Sequence, residues 1–203
     1  LWGTILVPGA ALRADIEAAR RLVQIAAAGA GGRPALGRPE RARAVAERLN
    51  GEERFVAGLA GARLTAGDDL LITREAGEFR RTGGGVLPLP MGCATVWDGR
   101  YELTARREGL SAAPLHGRFS QLQADEKTKL LSIPAPARGA LPAILRAGLA
   151  PVCPILAGTK RADPDVTVID LSAHRFRAAS GLIAREPESS PIADMAICFQ
   201  SPY

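Results

Sequence analysis

The sequence predicts an α+β fold in which an N-terminal pair of helices precedes a mixed, mostly antiparallel, strand-rich domain with short helices. Apolar residues recur at helical spacing in the first quarter of the chain, and after Phe55 they alternate at strand spacing between turn signals. With 203 residues and 47% hydrophobic content, the chain is long enough to bury a core. We expect a helical region over residues 1–52 and an α+β domain over 53–203.

The first helix is predicted over residues 11–28, where the apolar side chains share one face and the charged ones lie largely on others. A run of glycines and prolines follows and ends it. A second helix is predicted over 39–51, because Pro39 suits a first helical turn and Gly51 suits a helix end. Two helices joined by a loop therefore open the chain.

Strand patterns replace the helical period in the middle of the chain. Residues 55–66 and 70–75 flank a Gly-Asp-Asp turn signal, which predicts a β-hairpin. Residues 80–90 are rich in Gly and Pro and are expected to form a mobile connector. Residues 94–106 are expected to form a pair of short strands or one bent strand around an Asp-Gly turn.

Helix and strand signals alternate in the last part of the chain. Short helices are predicted over 120–132 and 139–149. Strands are predicted over 149–156, 165–173 and 176–185. The residues after these show no clear element, and the chain contains no internal repeat.

Charge and hydropathy exclude some classes of protein. The net charge of +5, from 26 basic and 21 acidic residues, is a mild excess that does not by itself establish a nucleic-acid partner. The excess is concentrated in residues 1–55, which hold nine arginines and six acids. Because no run of about 20 apolar residues occurs, we expect no membrane span.

The cysteines and histidines form no recognisable site. Cys93, Cys153 and Cys198 are far apart and include no C-x-x-C pair, which argues against a disulfide scaffold and a structural zinc site and suits a reducing cytoplasm. Neither His116 nor His174 lies at metal-ligand spacing from another ligand. A thiolate–imidazole pair of Cys93 with either histidine has no local signature, so an inert cysteine is favoured.

Glycine-rich runs are the nearest approach to a phosphate loop. TGGG at residues 82–85 is followed by apolar and proline residues rather than by a helix, and GAGG at 29–32 also lacks the required context. A flexible connector is the favoured interpretation. We therefore predict no catalytic residue, no metal and no cofactor in this chain.

Arginines are the best candidates for contacting phosphates. They occur as three doublets and as a string between residues 33 and 48. Any one of them is also typical of a solvated surface, which needs no partner to explain it. The doublets are Arg20-Arg21, Arg80-Arg81 and Arg106-Arg107, and the string comprises Arg33, Arg38, Arg41, Arg43 and Arg48.

Four phrases, taken in order, resemble the C-terminal half of the tRNA(Ile)-lysidine synthase family. They are LVQIAAAGAGGRPALGRPERARAVAERL (22–49), LAGARLTAGDDLLITREAG (59–77), VWDGRYEL (96–103) and GALPAILRAGLAPVCPILAG (139–158). The first resembles the end of that family's substrate-binding helical region, the second the strand pair that opens its C-terminal domain, and the third a Trp-Asp-Gly-Arg-aromatic phrase soon after. From about residue 159 we find no match.

The resemblance implies an enzyme that uses ATP to adenylate the wobble cytidine of isoleucine tRNA and then joins lysine to it. In that family the chemistry lies in an N-terminal domain with a Ser-Gly-Gly-x-Asp-Ser loop, which this sequence lacks. The resemblance therefore implies a cytoplasmic, non-catalytic part that recognises isoleucine tRNA and partners its own missing N-terminal catalytic domain. ATP would be a cofactor of the full-length enzyme only.

The tRNA-binding residues expected on this basis are all arginines. Arg100 is a special case with two alternatives. Its side chain either bonds to Asp98 or another acid, or it contacts RNA. An alternative remains open, in which the chain is a structural or protein-interaction module, such as a homodimerisation surface, with arginines that serve solubility. The candidate tRNA-binding residues are Arg20, Arg21, Arg41, Arg80, Arg81 and Arg100.

Overall fold

The computed structural model describes residues 3–51, 54–81, 85–156 and 165–182. Within these ranges the chain has the predicted α+β fold, with helices and three antiparallel sheets. No described helix combines the length and the apolar character needed to cross a bilayer.

The first sheet has four strands in the order β1-β4-β3-β2. The strands are β1 (Ile5–Pro8), β2 (Phe55–Leu59), β3 (Ala62–Ala66) and β4 (Asp69–Arg74). Helices α1 (Gly9–Arg13), α2 (Ile16–Gly31) and α3 (Pro39–Gly51) pack against it and against each other. The shared core includes the fully buried Val23, Leu64 and Ile72. The domain boundary predicted after residue 52 stays a prediction. Strand β1, which precedes that residue, pairs with β4, which follows it.

The structure corrects two expectations in this part. The single helix predicted over 11–28 is two helices, because the Asp15 carboxylate accepts hydrogen bonds from the backbone N–H groups of Glu17 (2.7 Å) and Ala18 (3.0 Å) and so starts α2. The run 55–66 holds two strands rather than one, with a turn at Ala60 and Gly61, whose φ values are 49° and 76°. Helix α3 and the hairpin of β3 and β4 are confirmed.

The two smaller sheets have three strands each. One has the order β10-β7-β6 and is formed by β6 (Ala94–Trp97), β7 (Tyr101–Ala105) and β10 (Val166–Asp170). The other has the order β5-β8-β9 and is formed by β5 (Leu87–Leu89), β8 (Leu110–Pro114) and β9 (Pro142–Arg146). The remaining helices are α4 (Glu78–Arg81), α5 (Ala124–Leu131), α6 (Ala135–Arg138) and α7 (Ser172–Ala179), with a 3₁₀ turn at Phe119–Gln121.

Several predictions for this part are confirmed. The segment 94–106 is a pair of strands joined at the Asp-Gly turn, 120–132 contains α5, and 165–173 contains β10. The connector expected over 80–90 was wrong at both ends, since α4 reaches Arg81 and β5 begins at Leu87.

Predictions after residue 138 failed in three places. The helix expected over 139–149 is strand β9, whose first three residues are buried beside β8. The strand expected over 149–156 is reduced to one isolated bridge between Val152 and Ile144. The strand expected from residue 176 falls partly in α7, and residues 183–203 lie outside the described ranges.

Candidate functional site

Asp98 lies between two buried arginines at the turn from β6 to β7. Arg74 donates from Nη2 to its carboxylate at 2.7 Å and from Nε at 3.0 Å, and Arg100 donates from Nε at 2.7 Å. The three side chains are only 4%, 5% and 1% exposed for Arg74, Asp98 and Arg100. We call these three residues the buried triad. One carboxylate thus serves two guanidinium groups away from solvent.

The buried triad joins separate elements of the fold. Arg74, at the end of β4, also donates to the Gly61 carbonyl at 2.8 Å. Arg100 donates to the Ala140 carbonyl just before β9. The first sheet is thereby tied to the β10-β7-β6 sheet and to the segment that leads into β9.

The backbone at the end of α2 packs closely against the same turn. A Cβ on Gly32 would lie 2.0 Å from the Asp98 carbonyl oxygen, and Gly32 has a φ of 64° as the left-handed cap of α2. Asp98 itself has a φ of 52°. Only glycine at position 32 lets the end of α2 meet this turn.

For Arg100, the structure favours bonding to Asp98 over contact with RNA. Its guanidinium is bonded to Asp98 inside the protein. Its backbone is also in use, since its N–H donates to the Trp97 carbonyl at 3.2 Å and its carbonyl accepts from the Leu171 N–H at 2.7 Å. A side chain that is 1% exposed offers no surface to a polyanion. Arg100 therefore acts as part of the scaffold in this conformation.

Arg80 and Arg81, by contrast, are exposed at the end of α4. Glu78 on the same helix pairs with Arg81 and also with Arg33, whose Nη2 lies 3.0 Å from a carboxylate oxygen. Arg80 has no ion pair within the part of the chain that the structure describes. The three arginines around one acid leave a local excess of positive charge.

The helix pair supplies a second group of candidates. Arg21 on α2 and Arg41 on α3 are exposed and form no ion pair with any described residue. Arg20 is 19% exposed and donates to Glu17 and Gln24, both at 2.8 Å. Arg20 is therefore engaged within its own helix, while Arg21 and Arg41 are available.

Sequence reasoning missed Arg74, Glu78 and the position of Asp98 between two cations. A signal for Arg74 exists, because it follows Leu70 and Ile72 on one side of a predicted strand and both of these are core residues. A charged residue in register with two core positions indicates a buried, paired charge. No comparable signal links Glu78 to Arg33, which lies 45 residues away.

The described residues offer little to a metal. No group of three or more His, Cys, Asp or Glu side chains among them is arranged to hold an ion. His116 is exposed and His174 is half-buried on α7. Within the TGGG run, residues 82–84 lie outside the described ranges, and the Gly85 carbonyl accepts a hydrogen bond from Trp97.

Comparison with known proteins bears out the resemblance found in the four phrases. Over 183 residues, or 88% of the chain, the sequence is 37% identical to a tRNA(Ile)-lysidine synthase from Caulobacter vibrioides. The chain spans 44% of that protein's length, a share consistent with a C-terminal part. No family model matches the chain, and no solved structure matches it significantly.

Proposed function

We propose that this chain is the tRNA-recognising C-terminal part of a tRNA(Ile)-lysidine synthase and that it supplies no catalytic residue. The observation that carries the proposal is the 37% identity over 88% of the chain to a protein of that name. In the whole enzyme, ATP would activate the wobble cytidine of isoleucine tRNA, and lysine would then be joined to it. The ATP site would lie in an N-terminal catalytic domain, because this sequence lacks the Ser-Gly-Gly-x-Asp-Ser loop.

Exposed arginines are the groups that suit this task. Arg21, Arg41, Arg80 and Arg81 can reach phosphates without breaking the fold, because their side chains lie on helix surfaces. Contacts of this kind fix the position of an RNA backbone without reading its bases. We assign tRNA binding to these four residues and leave Arg20 and Arg100 to structural roles.

The first test is titration of the chain with an isoleucine tRNA transcript at 50 and 200 mM salt. Four phosphate contacts imply that affinity falls about 50- to 150-fold between these concentrations, because each contact releases counterions from the RNA. Binding that is absent, or that does not change with salt, would contradict the proposal. Sedimentation over a range of concentrations would then test the alternative, a tight dimer that is indifferent to RNA.

The second test localises the contact. The double variant Arg80→Gln/Arg81→Gln should bind tRNA more weakly and reduce the salt slope by about 1.5 to 2, because two phosphate contacts are lost. A matched control is Lys127→Gln/Lys129→Gln, which removes the same charge from α5. Equal losses in the two variants would show that net charge, rather than this surface, governs binding.

A further inference from the structure

A cavity of about 300 Å³ lies between strand β1 and helix α7. Residues 3–6 form one of its walls, and residues of the segment 170–177 form the other. The volume is at the lower end for small-molecule sites and suits one ligand unit rather than an extended chain. The cavity is separate from the buried triad and from the four arginines assigned to tRNA binding.

Two hydroxyl groups in the cavity wall are not used by the described part of the fold. Ser172 is 4% exposed, and neither its Oγ nor the Thr4 Oγ1 has a hydrogen-bond partner among the described residues, although both atoms are buried. A buried hydroxyl without a partner costs free energy, and a ligand or an ordered water commonly supplies the missing bond. The wall therefore offers hydrogen bonds that the fold leaves free.

A carboxylate lies beside these hydroxyl groups. Asp170 ends β10 and accepts hydrogen bonds from the Ser172 N–H at 2.8 Å on Oδ1 and from the Gly3 N–H at 3.2 Å on Oδ2. These bonds fix the carboxylate in the wall and leave each oxygen able to accept a further hydrogen bond. This end of the cavity suits an amino or hydroxyl group and repels a bare anion.

The rest of the cavity is apolar and aromatic, with one cation at its edge. Leu6 is 62% exposed and Phe176 is half-buried. Arg177 is exposed and forms no ion pair with any residue that the structure describes. An aromatic ring, a guanidinium and hydrogen-bonding groups together are typical of sites for unstacked nucleotides, in which the base packs on the ring and the phosphate pairs with the cation.

Helix α7 is fixed in place by contacts with two other elements. A Cβ on Gly29 of α2 would lie 3.6 Å from the Ser172 carbonyl oxygen and 3.7 Å from the Phe176 Cβ, so α7 packs directly on α2. Just before α7, the Leu171 N–H donates to the Arg100 carbonyl at 2.7 Å. The cavity wall is therefore formed before a ligand arrives, which lowers the entropy lost on binding.

We propose that the cavity between β1 and α7 binds one unpaired nucleotide of RNA. The base packs on Phe176, and its polar edge or its sugar bonds to Asp170 and Ser172. The phosphate pairs with Arg177. The choice of RNA rests on the proposed function, since a free nucleotide has the same chemistry. The inference adds to that function, because the four surface arginines hold a backbone whereas this cavity holds a nucleotide out of its stack.

The first experiment uses free AMP, CMP, GMP and UMP as probes and follows backbone amides by NMR. At least one probe should shift the amides of residues 3–6 and 170–177 with a Kd of about 1 mM, the affinity expected from one stacked base and one ion pair. Ala173→Trp fills the cavity from an exposed position and should abolish these shifts. Ala179→Trp, on the same helix but outside the cavity, should not. No shift with any probe, or equal shifts in the two variants, overturns the inference.

The second experiment separates a binding role of Ser172 from a structural one. Ser172→Ala should weaken binding of the tightest of the four monophosphates about two- to tenfold, because one hydrogen bond to the ligand is lost. The free energy of unfolding should not fall, because the hydroxyl bonds to nothing in the described part of the fold. Reduced stability with unchanged affinity would make Ser172 structural and overturn the inference.

The third experiment tests RNA as the source of the nucleotide. Ala173→Trp should weaken binding of isoleucine tRNA about five- to tenfold, and Arg177→Gln should reduce the salt slope by about 0.7 to 0.9. The controls are Ala179→Trp and Lys129→Gln, which removes an exposed cation from the last turn of α5 as Arg177→Gln does from the last turn of α7. If Ala173→Trp blocks the monophosphates but leaves tRNA affinity unchanged, the cavity serves free nucleotides and the assignment to RNA is overturned.

Failure of the two proposals can be told apart, because the monophosphates need no tRNA. A wild-type chain that does not bind tRNA overturns the proposed function and the assignment to RNA, and the monophosphates then report on the cavity alone. Binding of tRNA that is weakened by Arg80→Gln/Arg81→Gln but not by Ala173→Trp overturns this inference alone. Urea denaturation of each variant shows that the compared proteins are folded at the assay temperature.

Discussion

The buried triad and the exposed arginine doublet use the same side chain in opposite ways. Arg74 and Arg100 are enclosed around Asp98, whereas Arg80 and Arg81 lie on the surface a few residues further along the chain from Arg74. An enclosed guanidinium is tolerated only while its carboxylate is present, but an exposed one is solvated with or without a partner. Burial therefore decides which arginines support the fold and which remain available for a ligand.

The largest effect is expected from Asp98→Asn. Asn matches Asp in shape and tolerates the positive φ of this position, so the substitution removes charge with little backbone strain. Two enclosed guanidinium groups then lose their counter-charge, and we expect the free energy of unfolding to fall by about 3–5 kcal/mol. Urea denaturation monitored by circular dichroism measures the change.

Asp165→Asn is the matched control for that prediction. Asp165 is 22% exposed and lies 3.4 Å from both Arg107 and Arg146, so it also faces two arginines, but in contact with solvent. Its replacement should cost less than about 1 kcal/mol. If Asp98→Asn costs no more than Asp165→Asn, the distinction between enclosed and exposed arginines has no energetic basis.

The next largest effect concerns the backbone contact beneath the triad. Gly32→Ala places a methyl group 2.0 Å from the Asp98 carbonyl oxygen and forces a left-handed conformation on alanine, which should cost about 2–4 kcal/mol in stability. Gly109→Ala is the control, because Gly109 has a φ of 76° but no atom within 4 Å of the added Cβ. It should cost only the conformational strain, about 1–2 kcal/mol. Equal costs would mean that the α2 end and the turn separate easily.

The sequence was most informative where local signals agree with burial. Helix α3 was predicted with its bounds, since Pro39 and Gly51 mark its ends, and the β3–β4 hairpin and the β6–β7 pair follow from turn residues between alternating strands. Strand β9 was missed, because Pro142–Arg146 has the composition of a helix and is extended only through its pairing with β8. Non-local pairing of this kind leaves no local pattern.

The candidate site could be predicted only as a set of arginines. Arg100, which is enclosed, and Arg80, which is exposed, each follow an acid by two residues, Asp98 and Glu78, so the local sequence does not distinguish them. The contacts that enclose Arg100 and Asp98, from Arg74 and the Ala140 carbonyl, come from other elements. The one accessible signal was the position of Arg74 in register with core residues of β4. The contacts of Trp97 with Phe79 and Gly85 join separate elements, and no local pattern in the sequence indicates them.

The smallest effect is expected from the Cys153 thiol, a buried group that is neutral at pH 7. Burial raises the pKa of the Cys153 thiol to about 12 from its ordinary value of 9.0, an effect that hydrogen bonds from the Leu156 and Ile155 backbone only partly offset. Between these two values the unfolded chain loses this proton and the folded chain keeps it. Stability must therefore fall as the pH rises above about 9, and the contribution of this thiol should be on the order of 1 kcal/mol at pH 10.

Cys153→Ala isolates that contribution, since it removes the thiol and leaves Tyr101, another buried group whose pKa burial raises, in place. Urea denaturation at pH 8 and pH 10 should show a smaller alkaline loss of stability in this variant than in the wild type, by an amount on the order of 1 kcal/mol. Cys93→Ala keeps Cys153 and should keep the full loss. Identical alkaline losses in the wild type and Cys153→Ala would show that this thiol ionises as readily in the folded chain as in the unfolded one. The core that encloses the thiol would then admit water.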